Sequence, residues 1–239
     1  MTPHRLPALP YGYDALEPWV DEQTLRVHYE QHHRELVNRL NEAETRLEAL
    51  QSCGDLLLIQ MLQQRACKLA CAHFLHCLFW EVMGPNQTGI PAGRLADQLN
   101  EDFGSFAAFK ARFSAAALSI QSGGWVVLVW RLASQQLAIV TAEGGTLPAG
   151  WVTAVVLALD VCEHAYYRKY EHRRAEYVHN WWNAVNWPRV AQLFACAIEP
   201  QPLPQLRATS HGSPAHDNRT LRTALATATG HARHLLRAG

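Results

Sequence analysis

Six residues of the kinds that bind metals or move protons lie in apolar surroundings, in three separate stretches of the chain. His28 and His32 interrupt TLRVHYEQHHRELV, His73 and His76 lie in ACAHFLHCLFW, and Asp160 and His164 follow the run VTAVVLAL in LDVCEHAYY. A carboxylate that closes a buried run is costly unless something compensates its charge. Neutral imidazole nitrogens joined by one carboxylate oxygen form a donor set for a transition metal, if rigid elements bring them together. Taken singly, each histidine has a plainer reading as a hydrogen-bonded core residue. The spacing allows convergence without requiring it.

The elements that would position these residues can be read from periodicity. Asp21 can cap a helix running through EQTLRVHYEQHHRELVNRLNEAETRLEAL, where Leu25, His28 or Tyr29, His32, Leu36 and Leu40 recur at helical spacing. The segment from Leu56 to Met83 has no Gly or Pro and is apolar almost all round, which predicts a buried helix. With a turn near Cys53-Gly54-Asp55, the two make an antiparallel hairpin. GPNQTGIPAG, Gly84 to Gly93, reads as a linker. Beyond it, helices are expected from Ala92 and from Ser105, the latter a plausible N-cap. GWVVLVWRL and QLAIVTAE are β-rich runs joined by a polar turn at Ala133-Ser134-Gln135, and TAVVLALDV is a third. Helical pattern returns after Glu163, through EYVHNWWNAV and PRVAQLFACAI. The fold class is α+β: a helical hairpin domain over 1–88, an α/β domain with a small sheet over 89–198, and a tail over 199–239.

Composition narrows the function classes. The 239 residues are 49% hydrophobic and 18% charged, as in globular proteins, and Lys+Arg and Asp+Glu both number 21. That balance gives no whole-chain attraction toward nucleic acid or an anionic membrane, and neither is expected as a partner. The charge is uneven, however: from Pro200 onward there are five Arg against one acidic residue, so the tail is basic. Rich in Pro, Ala, Thr, Arg and His, it is expected to be disordered or at most weakly helical. No apolar run approaches the length of a membrane span and the start lacks an apolar leader, so a cytoplasmic location is expected. The six cysteines form no C-x-x-C pair and read as buried free thiols.

Four stretches, LPALPYGYDALEPWVDEQTLRVHYEQHH, HFLHCLFW, EDFGSFAAFKARF and LDVCEHAYYRKYEHRRAEYVHNWWNAVNW, resemble the iron/manganese superoxide dismutase family in order and spacing. The likeness runs from about Leu6 to Phe194 and leaves the tail uncovered. It implies a helical hairpin domain followed by an α/β domain with a three-stranded antiparallel sheet. It also implies one iron or manganese ion per subunit, with His28, His76, Asp160 and His164 as ligands, and no organic cofactor. The reaction implied is dismutation of superoxide to dioxygen and hydrogen peroxide. His32 matches the family's channel histidine, and Tyr167 a tyrosine supplied by the opposite subunit of a homodimer. Glu163 matches a glutamate that crosses the two-fold axis to the partner's ligand histidine. Phe79, Trp80, Trp125 and Trp187 match aromatic positions that shelter the centre, although large rings also fill ordinary cores.

The departures from the family pattern concern tuning rather than ligation. Leu36 stands where the family has a gateway tyrosine. The family's donor to the metal-bound solvent comes from one of two positions, which here are Ala72 and Gly145. Cys162 replaces a tryptophan and Leu75 an asparagine, while His73, three residues before His76, is a possible substitute donor. Two functions follow: a dismutase of reduced efficiency, or a non-catalytic metal-binding relative that keeps the fold and ligands. Zinc hydrolysis is weaker, because His28-x-x-x-His32 lacks the glutamate of HExxH.

Overall fold

Helix capping sets where the chain begins to fold around the site. The computed structural model describes residues 2–50, 55–85, 89–144 and 154–199. Asp21 accepts the Thr24 amide at 2.9 Å, satisfying a free donor of the first turn, and α1 spans Glu22–Val27. The helix then widens into a π-turn over His28–His33 before continuing as α2, Arg34–Leu50. The Arg34 amide reaches back five residues to the Tyr29 carbonyl, which inserts one residue into the helical repeat. Helix α3, Leu56–Glu81, capped by Asp55, returns alongside α2.

The second half opens with α4, Gly93–Phe103, and α5, Phe106–Ser119, where Ser105 Oγ accepts the Ala108 amide at 3.0 Å. Strands β1 (Gly124–Arg131), β2 (Gln136–Glu143) and β3 (Ala154–Asp160) form an antiparallel sheet in the order β2-β1-β3. Trp125 is paired with Asp160, so the end of β3 lies beside the start of β1. Gly124 is needed at that start: a Cβ there would stand 2.7 Å from the Ala142 carbonyl oxygen. The chain after β3 is more broken than its apolar pattern predicts. It makes a 3-10 turn, Glu163–Ala165, then α6 (Tyr167–Tyr170), α7 (Arg174–Trp181), a second 3-10 turn (Trp182–Ala184) and α8 (Trp187–Ile198).

One core joins the hairpin to the sheet. Leu25 of α1, Tyr29 of the π-turn, and Leu75, Phe79 and Trp80 of α3 share it with Val126–Val129 and Val156–Leu159. Farther along the hairpin, Leu40, Ala43 and Leu69 form a separate small cluster against which Leu36 packs.

Two expectations are corrected here. Helix α3 is not buried throughout: Leu56, Leu57 and Met61 are 76%, 69% and 60% exposed, and its buried residues gather toward the C-terminal end, where the sheet lies against it. Apolar character all round reports the absence of a polar face, not the presence of neighbours. Cys67, Cys71, Cys77, Cys162 and Cys196 are in no disulfide, as expected, yet Cys67 and Cys196 are exposed and Cys71, Cys77 and Cys162 only partly covered. Cys53, Gly54, the middle of the expected linker, Gly145 and the tail lie outside the described residues.

Candidate metal centre

Four side chains from four elements meet where the hairpin packs on the sheet. His28 comes from the π-turn, His76 from α3, Asp160 from the last position of β3, and His164 from the 3-10 turn that follows. The Nε2 atoms of His164, His28 and His76 lie 3.0, 3.3 and 3.7 Å from a single atom, Asp160 Oδ2. The other carboxylate oxygen is occupied, since Oδ1 accepts the Cys162 amide at 2.9 Å. Tyr177 donates its hydroxyl to the Asp160 carbonyl at 2.9 Å, which fixes the backbone beneath the carboxylate.

These residues fit a metal ion on two independent grounds. His76 donates Nδ1–H to the Ala72 carbonyl at 2.7 Å, so its Nε2 lone pair points into the site. Yet His28 Nε2 and His76 Nε2 are both buried without a hydrogen-bond partner, a costly state unless something takes those lone pairs. Burial lowers the pKa of both imidazoles, which keeps them neutral and able to ligate. One cation among these four donors, all within 4.8 Å of one another, would satisfy both nitrogens and the buried carboxylate together.

Electrostatics ties Asp160 to His164. Burial alone would raise the Asp160 pKa, but the charge of His164, its hydrogen bond and the approach of His28 outweigh it and hold the carboxyl well below the usual range. In His164 burial lowers the pKa, and the Asp160 charge and hydrogen bond outweigh it and raise the value. In metal-free protein the His164 contribution to stability is complete below its unfolded pKa of about 6.5 and is lost as pH rises through the raised folded value. The Asp160 contribution is lost only as pH falls through its own depressed value. The buried imidazoles act in the opposite sense: His28, His32, His33 and His76, whose pKa values burial lowers, stay neutral in the fold and cost it stability once pH falls below the unfolded value of about 6.5. These four outweigh the single raised His164, so chelator-treated protein is expected to melt lower at about pH 5 than at about pH 8. Metal-loaded protein should show a steeper slope, because His164 must then be neutral as well; thermal denaturation of both forms checks it.

Aromatic rings close most of the site. Trp80 and Phe79 lie 4.9 and 5.9 Å from the His28 ring, and Trp125 lies 4.9 Å from that of His76. Trp187 instead packs on Phe106 and Trp182. His32 stacks on His164 at 3.8 Å. One side is open: His164 is 30% exposed against 2% or less for its three companions, and next to it Glu163 is exposed and Tyr167 is 52% exposed.

Sequence periodicity missed His33. It is fully buried, accepts the Trp80 indole N–H on Nδ1 at 2.9 Å, contacts His73 Nδ1 through Nε2 at 2.8 Å, and stacks on His76 at 5.0 Å. At 3.6 residues per turn His33 leaves the face that carries His28, but a π-turn joins residue i to i+5, which is their interval. The HH doublet was the available signal. His73 is thus engaged by His33, which leaves it a poor candidate for the missing solvent donor.

The matches to known proteins cover the same elements. Residues 3–84 match the iron/manganese superoxide dismutase alpha-hairpin domain, and residues 91–193 match the C-terminal domain of those enzymes. The chain is 39% identical over 196 residues to a probable iron superoxide dismutase of Bacillus subtilis, covering 82% of this chain and 70% of that protein. It is 38% identical to the iron superoxide dismutase of Pyrobaculum aerophilum, over 83% of this chain and 95% of that one. Identity to the manganese enzyme of Haloarcula marismortui is 40%, over 81% and 94%. With both domains matched in order and the donor set assembled where they meet, the chain belongs to the iron/manganese superoxide dismutase family.

Proposed function

We propose that this protein disproportionates superoxide to dioxygen and hydrogen peroxide at a single iron or manganese ion held by His28, His76, Asp160 and His164. The observation that carries the reading is the convergence of three imidazole Nε2 atoms on Asp160 Oδ2, two of them buried and orphaned. When bound, iron or manganese supplies alternation between trivalent and divalent states, so that one superoxide gives up an electron and the next receives one together with two protons. One carboxylate among three neutral imidazoles leaves the centre net positive in both states, which favours entry of a small anion. Phe79, Trp80 and Trp125 exclude bulk water from the buried side and strengthen that field.

His32 orients against His164 and also lines a surface depression of about 570 Å³, so it stands between solvent and the ligands. Leu36 and Ala72 supply no hydroxyl or amide there, which leaves proton delivery to His32 and solvent and supports a dismutase slower than its tyrosine-bearing relatives. The exposed Glu163, Tyr167 and edge of His164 support a homodimer, in which a second copy covers this side. Among the described residues, no helix is long and apolar enough to cross a membrane.

Superoxide decay after pulse radiolysis is expected to be catalysed by protein loaded with iron, with manganese, or with both, and to return to the uncatalysed rate after chelation. Decay no faster than with the free ion, in fully metallated protein of both kinds, would leave the non-catalytic reading. Sedimentation is expected to show a dimer at micromolar concentration, and a monomer there would contradict the two-fold arrangement.

A further inference from the structure

A second group of metal-binding side chains lies on the other side of His33. His73 and Cys77 stand at i and i+4 on α3, which places them on one helix face, and His33 approaches them from the π-turn. His33 Nε2 is 2.8 Å from His73 Nδ1, while Cys77 Sγ is 3.6 Å from that nitrogen and 4.0 Å from His33 Nε2. Donors of a tetrahedral zinc ion, with Zn–N of about 2.0–2.1 Å and Zn–S of about 2.3 Å, stand about 3.3 to 3.6 Å apart. The observed triangle needs adjustments of about half an ångström to reach that geometry.

We infer that His33 Nε2, His73 Nδ1 and Cys77 Sγ form a second metal site, for a thiophilic divalent cation such as zinc, which clamps the two helices of the hairpin. The donor chemistry separates this group from the principal centre. A thiolate with two imidazoles and no carboxylate favours zinc over manganese, whereas the principal four donors include a carboxylate and no sulfur.

Proton positions define what the ion must replace. The Trp80 indole donates to His33 Nδ1, so neutral His33 carries its proton on Nε2 and donates it to His73 Nδ1. Binding of a divalent ion expels that proton and the Cys77 thiol proton, and both pass to solvent. His33 is then an imidazolate between the indole N–H and the ion, and with the Cys77 thiolate it brings the net charge of the complex to zero. A neutral complex suits the place, since His33 is fully buried. His73 and Cys77 are partly exposed and give the ion a route from solvent.

The test uses manganese-loaded protein titrated with Co2+. One equivalent is expected to bind with a sulfur-to-cobalt charge-transfer absorption, with manganese content unchanged, and Zn2+ should abolish the band. The principal centre has no sulfur donor, so the band reports on this group even if the proposed dismutase function fails. Cys77→Ser, a one-atom change at a partly exposed position, should remove the band while the melting profile without Co2+ is retained. His73→Ala should weaken Co2+ binding by at least about 10-fold. Absence of the band at excess Co2+, a band that persists in Cys77→Ser, or binding only as manganese is displaced would each overturn the inference.

Discussion

Asp160→Ala protein is expected to bind iron or manganese more than about 100-fold more weakly than the wild type. Changes to groups that merely hydrogen-bond a ligand typically cost about 10–100-fold in metal affinity, and Asp160 supplies the donor atom on which the three imidazoles converge. Its loss removes the only negative charge among the four donors. The metal-free fold should also suffer, because breaking a buried ion pair costs up to about 3–5 kcal/mol. The 30% exposure of His164 places the cost below that upper figure. Asp160→Asn keeps the volume and removes the charge, so it separates the metal effect from a packing defect. Metal analysis of protein purified without chelator, with melting of the same samples, reads both effects. Equal metal content in wild type and both variants would remove Asp160 from the ligand set.

The donor types were legible in the sequence, and their convergence was not. An apolar run ending in Asp160 and His164 declares that something must compensate the carboxylate, and the strand it predicts is β3. From His28 the helix opens into a π-turn that simple periodicity cannot report, and the inserted residue changes the phase of the face that follows. The core positions after the turn are Val37, Leu40 and Ala43: Leu40 stays on the expected face, while Leu36 is only partly covered. His33 escaped notice for the same reason. The exposed start of α3 was misread on different grounds, since burial depends on which surface arrives from elsewhere in the chain. Family resemblance supplied the ligand quartet because it carries that long-range information, but it gave Cys77 no role and did not join it to His33 and His73.

His32→Ala is expected to slow dismutation by about 100-fold while leaving the metal in place, since a positioned group in proton transfer is typically worth about 10²–10⁴ in rate. His32 touches the site without joining the group of four: it stacks on His164 at 3.8 Å and meets His28 edge-on at 5.7 Å. Its pKa is pushed down to about 4, first by burial and then by the neighbouring His164 and His28. It is therefore neutral from about pH 5 upward, and relays a proton through its neutral ring, giving one up as it takes another from solvent, rather than acting as a cationic acid. The activity of wild-type protein should accordingly show no His32 titration between about pH 5 and 8. Leu36→Tyr tests the complementary change. Leu36 packs against the Leu40, Ala43 and Leu69 cluster, so a tyrosine is expected to cost about 1 kcal/mol in packing while returning a hydroxyl to the helix that carries His32. Pulse radiolysis of fully metallated samples should show Leu36→Tyr faster than wild type and His32→Ala slower. If His32→Ala kept the full rate with metal content unchanged, proton delivery would have to run through solvent alone, and the stacked pair of His32 and His164 would be packing rather than machinery.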